Sequence, residues 1–280
     1  MILDGKVVAR AVKDEVMTAV AGLDYRPGLA TVLVGDDPAS HSYVRGKRRD
    51  AKEVGISSIH HELEAETPAG DLYELLDSLN ADEGVDGILV QLPLPGHLDG
   101  EAAVERINPA KDVDGLHPHN LGRLVLGEAG VRPSTPSGVL RILDHYEIPV
   151  SGARAVIVGR SFLVGRPLAL MMSERGVDAT VTIAHSRTRD LASLTREADI
   201  LVAAAGSPGL ITADHVKPGA TVIDVGVSRT DQGLAGDVDF HGVVGIAGAI
   251  TPVPGGVGPM TRAMLLANTF QAARARRSDH

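Results

Sequence analysis

Five cations crowd the stretch SHSYVRGKRRDAKEVGI, from Ser40 to Ile56: Arg45, Lys47, Arg48, Arg49 and Lys52. Asp37 and Pro38, just upstream, supply an N-cap and a first helical residue, so a helix is expected. Each residue of a helix advances by about 100°. Ser40, Tyr43, Val44, Lys47, Ala51 and Val54 then fall within a stripe roughly 100° wide, and Arg45, Arg48, Arg49 and Lys52 fall outside it. Lys47 thus shares the core-facing stripe, one turn after Tyr43. A lysine there either snorkels past its apolar neighbours to water or stays desolvated, with a lowered pKa that suits a base or proton carrier.

A second polar residue stands in apolar surroundings. In GILVQLPLPGH, Gln91 interrupts the C-terminal end of an otherwise apolar strand, where open α/β sheets place their ligands. Pro93 and Pro95 stop the strand and stiffen its exit. A buried amide needs partners, and a lysine on a neighbouring helix is one candidate. Next comes PAKDVDGLHPHNLGRL, with Asp112 and Asp114 one residue apart in a Gly-containing loop. Such a pair binds a cation, binds an amino-bearing ring, or caps a turn. His117 and His119 lack a third ligand at convincing spacing, so no metal is expected.

These residues need a scaffold. From residue 155 onward, AVIVG, ATVTIA, ILVAAA, TVIDVG and VVGIAG recur at even spacing as buried strands. The segments VGRPLALMMSERG and TRDLASLTREAD between them read as helices. That alternation gives a parallel sheet covered on both faces, a Rossmann-like doubly wound α/β domain. The first half repeats the theme with strands LATVLVG (Leu29–Gly35) and VDGILVQL (Val85–Leu92) and helices around Ser40–Val54 and AGDLYELLDSLNAD. A connecting helix follows PSTP, with Thr135 or Ser137 as N-cap, and a last helix starts near Pro259. The expected fold class is α/β, with two α/β lobes and a cleft between them, where ligands bind. The expected domains are 1–138, completed by the helix 259–280, and 139–258.

AVIVGRSFLVGRPLA reads as strand, tight turn and helix start, with Gly159-x-Ser161-x-x-x-Gly165 in place of G-x-G-x-x-G. Gly159 makes the turn, Gly165 allows close helix packing, and the helix N-terminus offers N–H groups to a pyrophosphate. An NAD enzyme would usually carry Asp or Glu at the end of the second strand. HSRT stands there instead, and Ser186 with Arg187 suits the 2′-phosphate of NADP, which a carboxylate would repel. Arg160 adds a second cation. The bland reading is that Arg187 is a solvated loop charge.

Composition excludes much else. Net charge is −9 and aromatics make up 2%, so neither duplex nor single-stranded nucleic acid is an expected partner. Cysteine is absent, which removes disulfides, thiolate metal sites and thiol nucleophiles. No signal peptide or membrane span is legible, and a cytoplasmic protein is expected.

PGLATVLVGDDPASHSYVRGK, DGILVQLPLP, PAKDVDGLHPHNLGRL, PSTPSGVL, VGRSFLVGRPLA, AHSRT, KPGATVIDVGVSR, GDVDF and TPVPGGVGPMT together span essentially the whole chain. In them the sequence resembles the bifunctional methylenetetrahydrofolate dehydrogenase/methenyltetrahydrofolate cyclohydrolases, known in bacteria as FolD. The resemblance implies NADP-dependent oxidation of 5,10-methylenetetrahydrofolate to the methenyl form, then hydrolysis to 10-formyltetrahydrofolate. It assigns the hydrolytic lysine to Lys47, the residue stacking on folate to Tyr43, the partner of the lysine to Gln91 and the pterin anchor to Asp114. Ser40, Val90–Leu92 and Pro254–Gly255–Gly256–Val257–Gly258 line the substrate in the same pattern. NADP contacts map to Gly159, Arg160, Ser161, Ser186 and Val227, and a homodimer is implied. Many relatives carry Cys where this chain has Ser134. Two other readings stand beside this one: another two-lobed NADP oxidoreductase of the shikimate dehydrogenase type, and an inactive NADP or folate sensor.

Overall fold

The computed structural model describes residues 1–231 and 233–278. The chain divides into two compact units: Arg10–Ser134 with the chain from Arg262 on, and Met1–Ala9 with Thr135–Thr261. Helix α1 (Gly5–Ala21) begins in the second of these and runs into the first. It buries Val8, Val12, Val16 and Val20, an i, i+4 stripe that marks an amphipathic helix.

The Arg10–Ser134 unit continues with β1 (Gly28–Val34), α2 (Pro38–Glu53), β2 (Ser57–Leu63), α3 (Ala69–Ala81), β3 (Gly87–Val90), α4 (Gly100–Arg106) and α5 (Pro118–Leu126). Its three strands are parallel in the order β2-β1-β3. All residues of β1 and β3 are buried, which is why both read as unbroken apolar runs. Strand β2, SSIHHEL, lies at the edge and is only half-buried; no apolar run announces it. Leu72, Leu76 and Leu79 of α3 pack on Ala30, Val32, Ile88 and Val90.

The Thr135–Thr261 unit contains α6 (Ser134–His145), β4 (Arg154–Val158), α7 (Gly165–Ser173), β5 (Thr180–Ala184), α8 (Leu191–Thr195), β6 (Ile200–Ala203), β7 (Thr221–Asp224), the hairpin β8 (Ser228–Thr230) and β9 (Gly233–Ala235), α9 (Phe240–Val243), β10 (Ala249–Ile250) and the start of α10 (Val257–Ser278). Five parallel strands run in the order β10-β7-β6-β4-β5. The chain therefore places β5 on one side of β4 and β6 on the other, creating the switch point at which such sheets bind ligands.

Three boundaries differ from the sequence reading. VVGIAG is not the fifth strand: Val243 ends α9 as a fully buried core residue, and the strand is Ala249–Ile250, paired with Thr221–Val222. Helix α6 begins at Ser134, so Thr135 and Ser137 sit within its first turn and are not its cap. Helix α10 begins at Val257, because a proline at residue 259 still falls in the first turn, where its missing N–H costs nothing. The first nine residues pack with the five-stranded unit: the Leu3 N–H donates to Ile250 O at 2.8 Å, and the Asp4 N–H donates to the Tyr146 hydroxyl at 3.0 Å.

Candidate active site

Helix α2 is entered as its sequence predicts. Asp37 accepts from the Ser40 N–H at 2.8 Å and Pro38 opens the first turn. Its buried positions are Ser40, Val44, Lys47, Asp50 and Ala51, with Val54 buried at its C-cap, whereas Arg45, Arg49 and Lys52 are exposed and Arg48 is half-buried. Lys47 is only 7% exposed, and its Nζ donates to Gln91 Oε1 at 3.0 Å. Gln91 follows β3 directly. Its backbone N–H continues the sheet ladder to Val32 O at 2.9 Å, and its Nε2 donates to Leu92 O at 2.7 Å. With Nε2 so engaged, Oε1 faces the lysine. Val90 is buried and the Leu92–Pro93 peptide is cis.

The two aspartates of the following loop divide their work. Asp112, 1% exposed, accepts from the Gly115 N–H, the His117 N–H and Asn120 Nδ2 at 2.8–3.0 Å; it caps the turn. Asp114, hydrogen-bonded with the Ser134 side chain, is the carboxylate whose charge acts on Lys47. Burial holds the Lys47 amine below the usual lysine range, with the Asp114 charge pulling it back up and the Arg262 charge pushing it further down. Burial raises the Asp114 carboxyl, against the opposing pull of Lys47. Both groups are therefore biased toward their neutral forms. Tyr43 is half-buried one turn earlier, and burial raises its phenol. His117 Nδ1 accepts from the His119 N–H, so this pair serves a helix start. Among the described residues, the three metal-ligating side chains that do converge are Asp36, His41 and Glu62, two of them exposed.

Sequence reading overlooked Asp50 and Arg262. Arg262 Nε donates to Asp50 Oδ2 at 2.7 Å, and the Asp50 side chain is 3% exposed. Asp50 lies three residues after Lys47, so helical spacing was the available signal. Its partner is 212 residues away, and no local pattern points to it.

The remaining candidates lie in the five-stranded unit. Gly159 has φ 137°, and a Cβ there would collide with the Ala204 carbonyl; one at Gly165 would collide with the Gly159 carbonyl. Both glycines are thus forced by the close strand–turn–helix path from β4 into α7. Arg160 and Ser161 are exposed on that turn, and Ser161 Oγ accepts from the Val164 N–H at 3.2 Å. After β5, the His185 N–H donates to Thr188 Oγ1 and the Arg187 N–H to His185 Nδ1. This turn presents Ser186 and Arg187 to solvent, with no carboxylate in HSRT. Val227 is 39% exposed. Pro254 is exposed after a cis Val253–Pro254 bond; Gly255, Gly256 and Val257 are buried, and Gly258 is half-buried.

Two family models cover most of the chain. "Tetrahydrofolate dehydrogenase/cyclohydrolase, catalytic domain" matches residues 3–114, and "Tetrahydrofolate dehydrogenase/cyclohydrolase, NAD(P)-binding domain" matches 133–277. A relative in Frankia alni called "Bifunctional protein FolD 2" is 58% identical over 98% of this chain and 96% of its own. The solved bifunctional FolD methylenetetrahydrofolate dehydrogenase/cyclohydrolase of Campylobacter jejuni superposes with a TM-score of 0.95 at 45% identity, covering 99% of both chains. The Trypanosoma brucei dehydrogenase-cyclohydrolase, solved with NADP cofactor and inhibitor, gives 0.94 at 39% identity, covering 99% of this chain and 98% of that one. A shikimate 5-dehydrogenase of Thermus thermophilus gives 0.53 at 17% identity, a likeness of fold alone.

Proposed function

The chain belongs to the tetrahydrofolate dehydrogenase/cyclohydrolase family, and on that premise we propose how its two activities are shared among its residues. It is a bifunctional enzyme. It oxidises 5,10-methylenetetrahydrofolate to the 5,10-methenyl form with NADP, and hydrolyses that product to 10-formyltetrahydrofolate.

NADP supplies the hydride acceptor. The turn of Gly159, Arg160 and Ser161 before α7 suits its pyrophosphate. Ser186 and Arg187 suit its 2′-phosphate, and Val227 offers an apolar contact. The fit rests on the two glycine positions that admit no Cβ and on the carboxylate-free turn after β5. Arg187→Ala is expected to weaken NADP by about tenfold, the worth of one charge-assisted hydrogen bond, and NAD far less. Equal losses measured by titration calorimetry would remove Arg187 from the 2′-phosphate.

Hydrolysis needs proton traffic. Water adds to the cationic methenyl carbon and loses a proton. The carbon–nitrogen bond then breaks as the ring nitrogen takes a proton and the hydroxyl gives up its own to become the formyl carbonyl, one proton being released overall. One observation carries the assignment of this traffic to Lys47: a lysine 7% exposed, hydrogen-bonded at 3.0 Å to a side-chain amide and biased by burial toward the free amine. Gln91 orients it. Asp114 anchors the amino-bearing pterin edge, and Tyr43 stacks on the folate. Ser40, Val90, Leu92 and the Pro254–Gly258 backbone complete the substrate contacts. Lys47→Met is expected to abolish methenyl hydrolysis while NADP binding survives. Hydrolysis near the wild-type rate would end the assignment.

The same reading makes the chain a cytoplasmic homodimer. Among the described residues no helix is long and apolar enough to cross a membrane. The edge strand β2 fits pairing with a second copy: Ser58 Oγ and His61 Nε2 are buried there without hydrogen-bond partners. A sedimentation mass of one chain would contradict it.

A further inference from the structure

Lys47 has two charged side chains acting on it from other elements: Asp114 and Arg262. Burial already biases the Lys47 amine toward its free form, and the charge of Asp114 pulls it back toward an ammonium, which cannot take a proton from water. Arg262, on α10, works with burial against that pull. Its side chain lies over the backbone of Gly46, the residue before Lys47. A Cβ at Gly46 would come within 3.3 Å of Arg262 Cδ and 3.5 Å of Nε and Nη1. The arginine side chain thus runs alongside this glycine; an added Cβ would meet the guanidinium nitrogens at ordinary contact distance and ask only a small shift of Cδ.

Asp50 fixes the guanidinium there. Its Oδ2 accepts from Arg262 Nε at 2.7 Å, and its Oδ1 accepts from Arg49 Nε and Nη2 at 3.1 and 3.0 Å. Lys13 of α1 stands 3.9 Å from Oδ1. Burial pushes the Asp50 carboxyl up, but the hydrogen bond and charge of Arg262, with help from Arg49 and Lys13, hold it below the usual carboxylate range. Asp50 is thus a firm anion that both holds Arg262 and mutes its field.

We propose that Arg262, held by Asp50 beside Gly46, is a positioning residue that offsets Asp114 and so favours the free amine of Lys47 in the hydrolytic step. This rests on the reading of Lys47 as the proton carrier. The groups facing Lys47 are Gln91 after β3, Asp114 with Asp112 behind it, Arg262 from α10, and Tyr43 and Asp50 on α2 itself, Asp50 being paired also with Arg49 and Lys13. Of these, Arg262 is the cation from another element acting directly on the amine.

The two partners should act with opposite signs. Removing the guanidinium by Arg262→Met takes a positive charge from beside Lys47, so its amine should titrate higher. Asp50→Asn removes the muting anion and leaves the guanidinium bare, so the amine should titrate lower. Each shift should be about one pH unit, the scale of one charge at side-chain distance inside a protein. The double variant should return toward wild type, and Arg262→Lys should keep the wild-type titration.

The test is carbon NMR of ε-labelled lysine in the full chain, assigned with Lys47→Arg, beside the pH profile of methenyl hydrolysis. Opposed shifts in the two single variants, followed by the rising limb of hydrolysis, bear the proposal out. Shifts of the same sign, or none, while Lys47→Met still abolishes hydrolysis, would reduce Arg262–Asp50 to a helix staple. Should Arg262→Met fail to fold, Asp50→Asn and Arg262→Lys still decide: an unmoved titration in Asp50→Asn overturns the proposal. Hydrolysis near the wild-type rate in Lys47→Met would instead overturn the reading beneath it.

Discussion

Two lysines are buried in the Arg10–Ser134 unit: Lys111 at 2% exposure and Lys47 at 7%. Burial lowers the pKa of both, and each has aspartates within reach. Their partners differ. Lys111 Nζ donates to three backbone carbonyls, Leu79, Asn80 and Asp82, at 3.0, 2.8 and 2.7 Å. An ammonium has three N–H donors, so Lys111 is fully satisfied, and all its acceptors belong to the C-terminal end of α3. It serves as a helix cap, a cation where the macrodipole favours one. Among the described residues Lys47 has one acceptor, and that acceptor is a side-chain amide. Burial alone therefore does not mark a lysine for chemistry; what matters is whether the fold has already used its protons.

Exchanging the two losses breaks the comparison most severely. Lys47→Met is expected to cost hydrolysis about 10²- to 10⁴-fold, the usual worth of a positioned acid–base group, with little change in stability. Lys111→Met is expected to do the reverse. It would strand three carbonyls at the end of α3 and cost roughly 2–4 kcal/mol, while the folded fraction hydrolyses at the wild-type rate. Urea unfolding and active-site-normalised turnover check both. A Lys111 variant with full stability would show that its three bonds are dispensable and that the contrast is false.

Sequence reveals the two lysines unequally. Lys47 announces itself because a helical stripe is a local property: the phase from Ser40 to Val54 requires only that α2 form. Gln91 is legible for the same reason, as a polar residue at the end of a wholly apolar strand. The parallel sheets are likewise legible where strands are buried on both faces, as in β1, β3, β4, β6 and β7. Strand β2 is not, because an edge strand with two histidines carries no apolar run. Lys111 is not legible either, since its carbonyls lie 29–32 residues away and carbonyls have no sequence signature. The Asp50–Arg262 pair is the extreme case. It depends on two helices meeting, which no window of sequence contains.

The smallest expected effect is the most specific. Gln91→Ala leaves Lys47 buried and the chain of charges around it intact, and removes only the single acceptor that distinguishes it from Lys111. One hydrogen bond to a group of this kind is worth about 1–1.5 kcal/mol, so hydrolysis should fall about tenfold, well short of the Lys47→Met loss. The loss should appear in kcat and leave KM nearly unchanged, because an orienting bond acts on the proton transfer and not on substrate affinity. Gln91→Glu sharpens the point. A carboxylate there would draw a proton onto Lys47 as an ion partner, so the variant should lose more activity than the alanine although it keeps an acceptor in place. If Glu preserved activity better than Ala, Lys47 would work as a charged ammonium, and its likeness to Lys111 would be closer than the geometry of Gln91 implies.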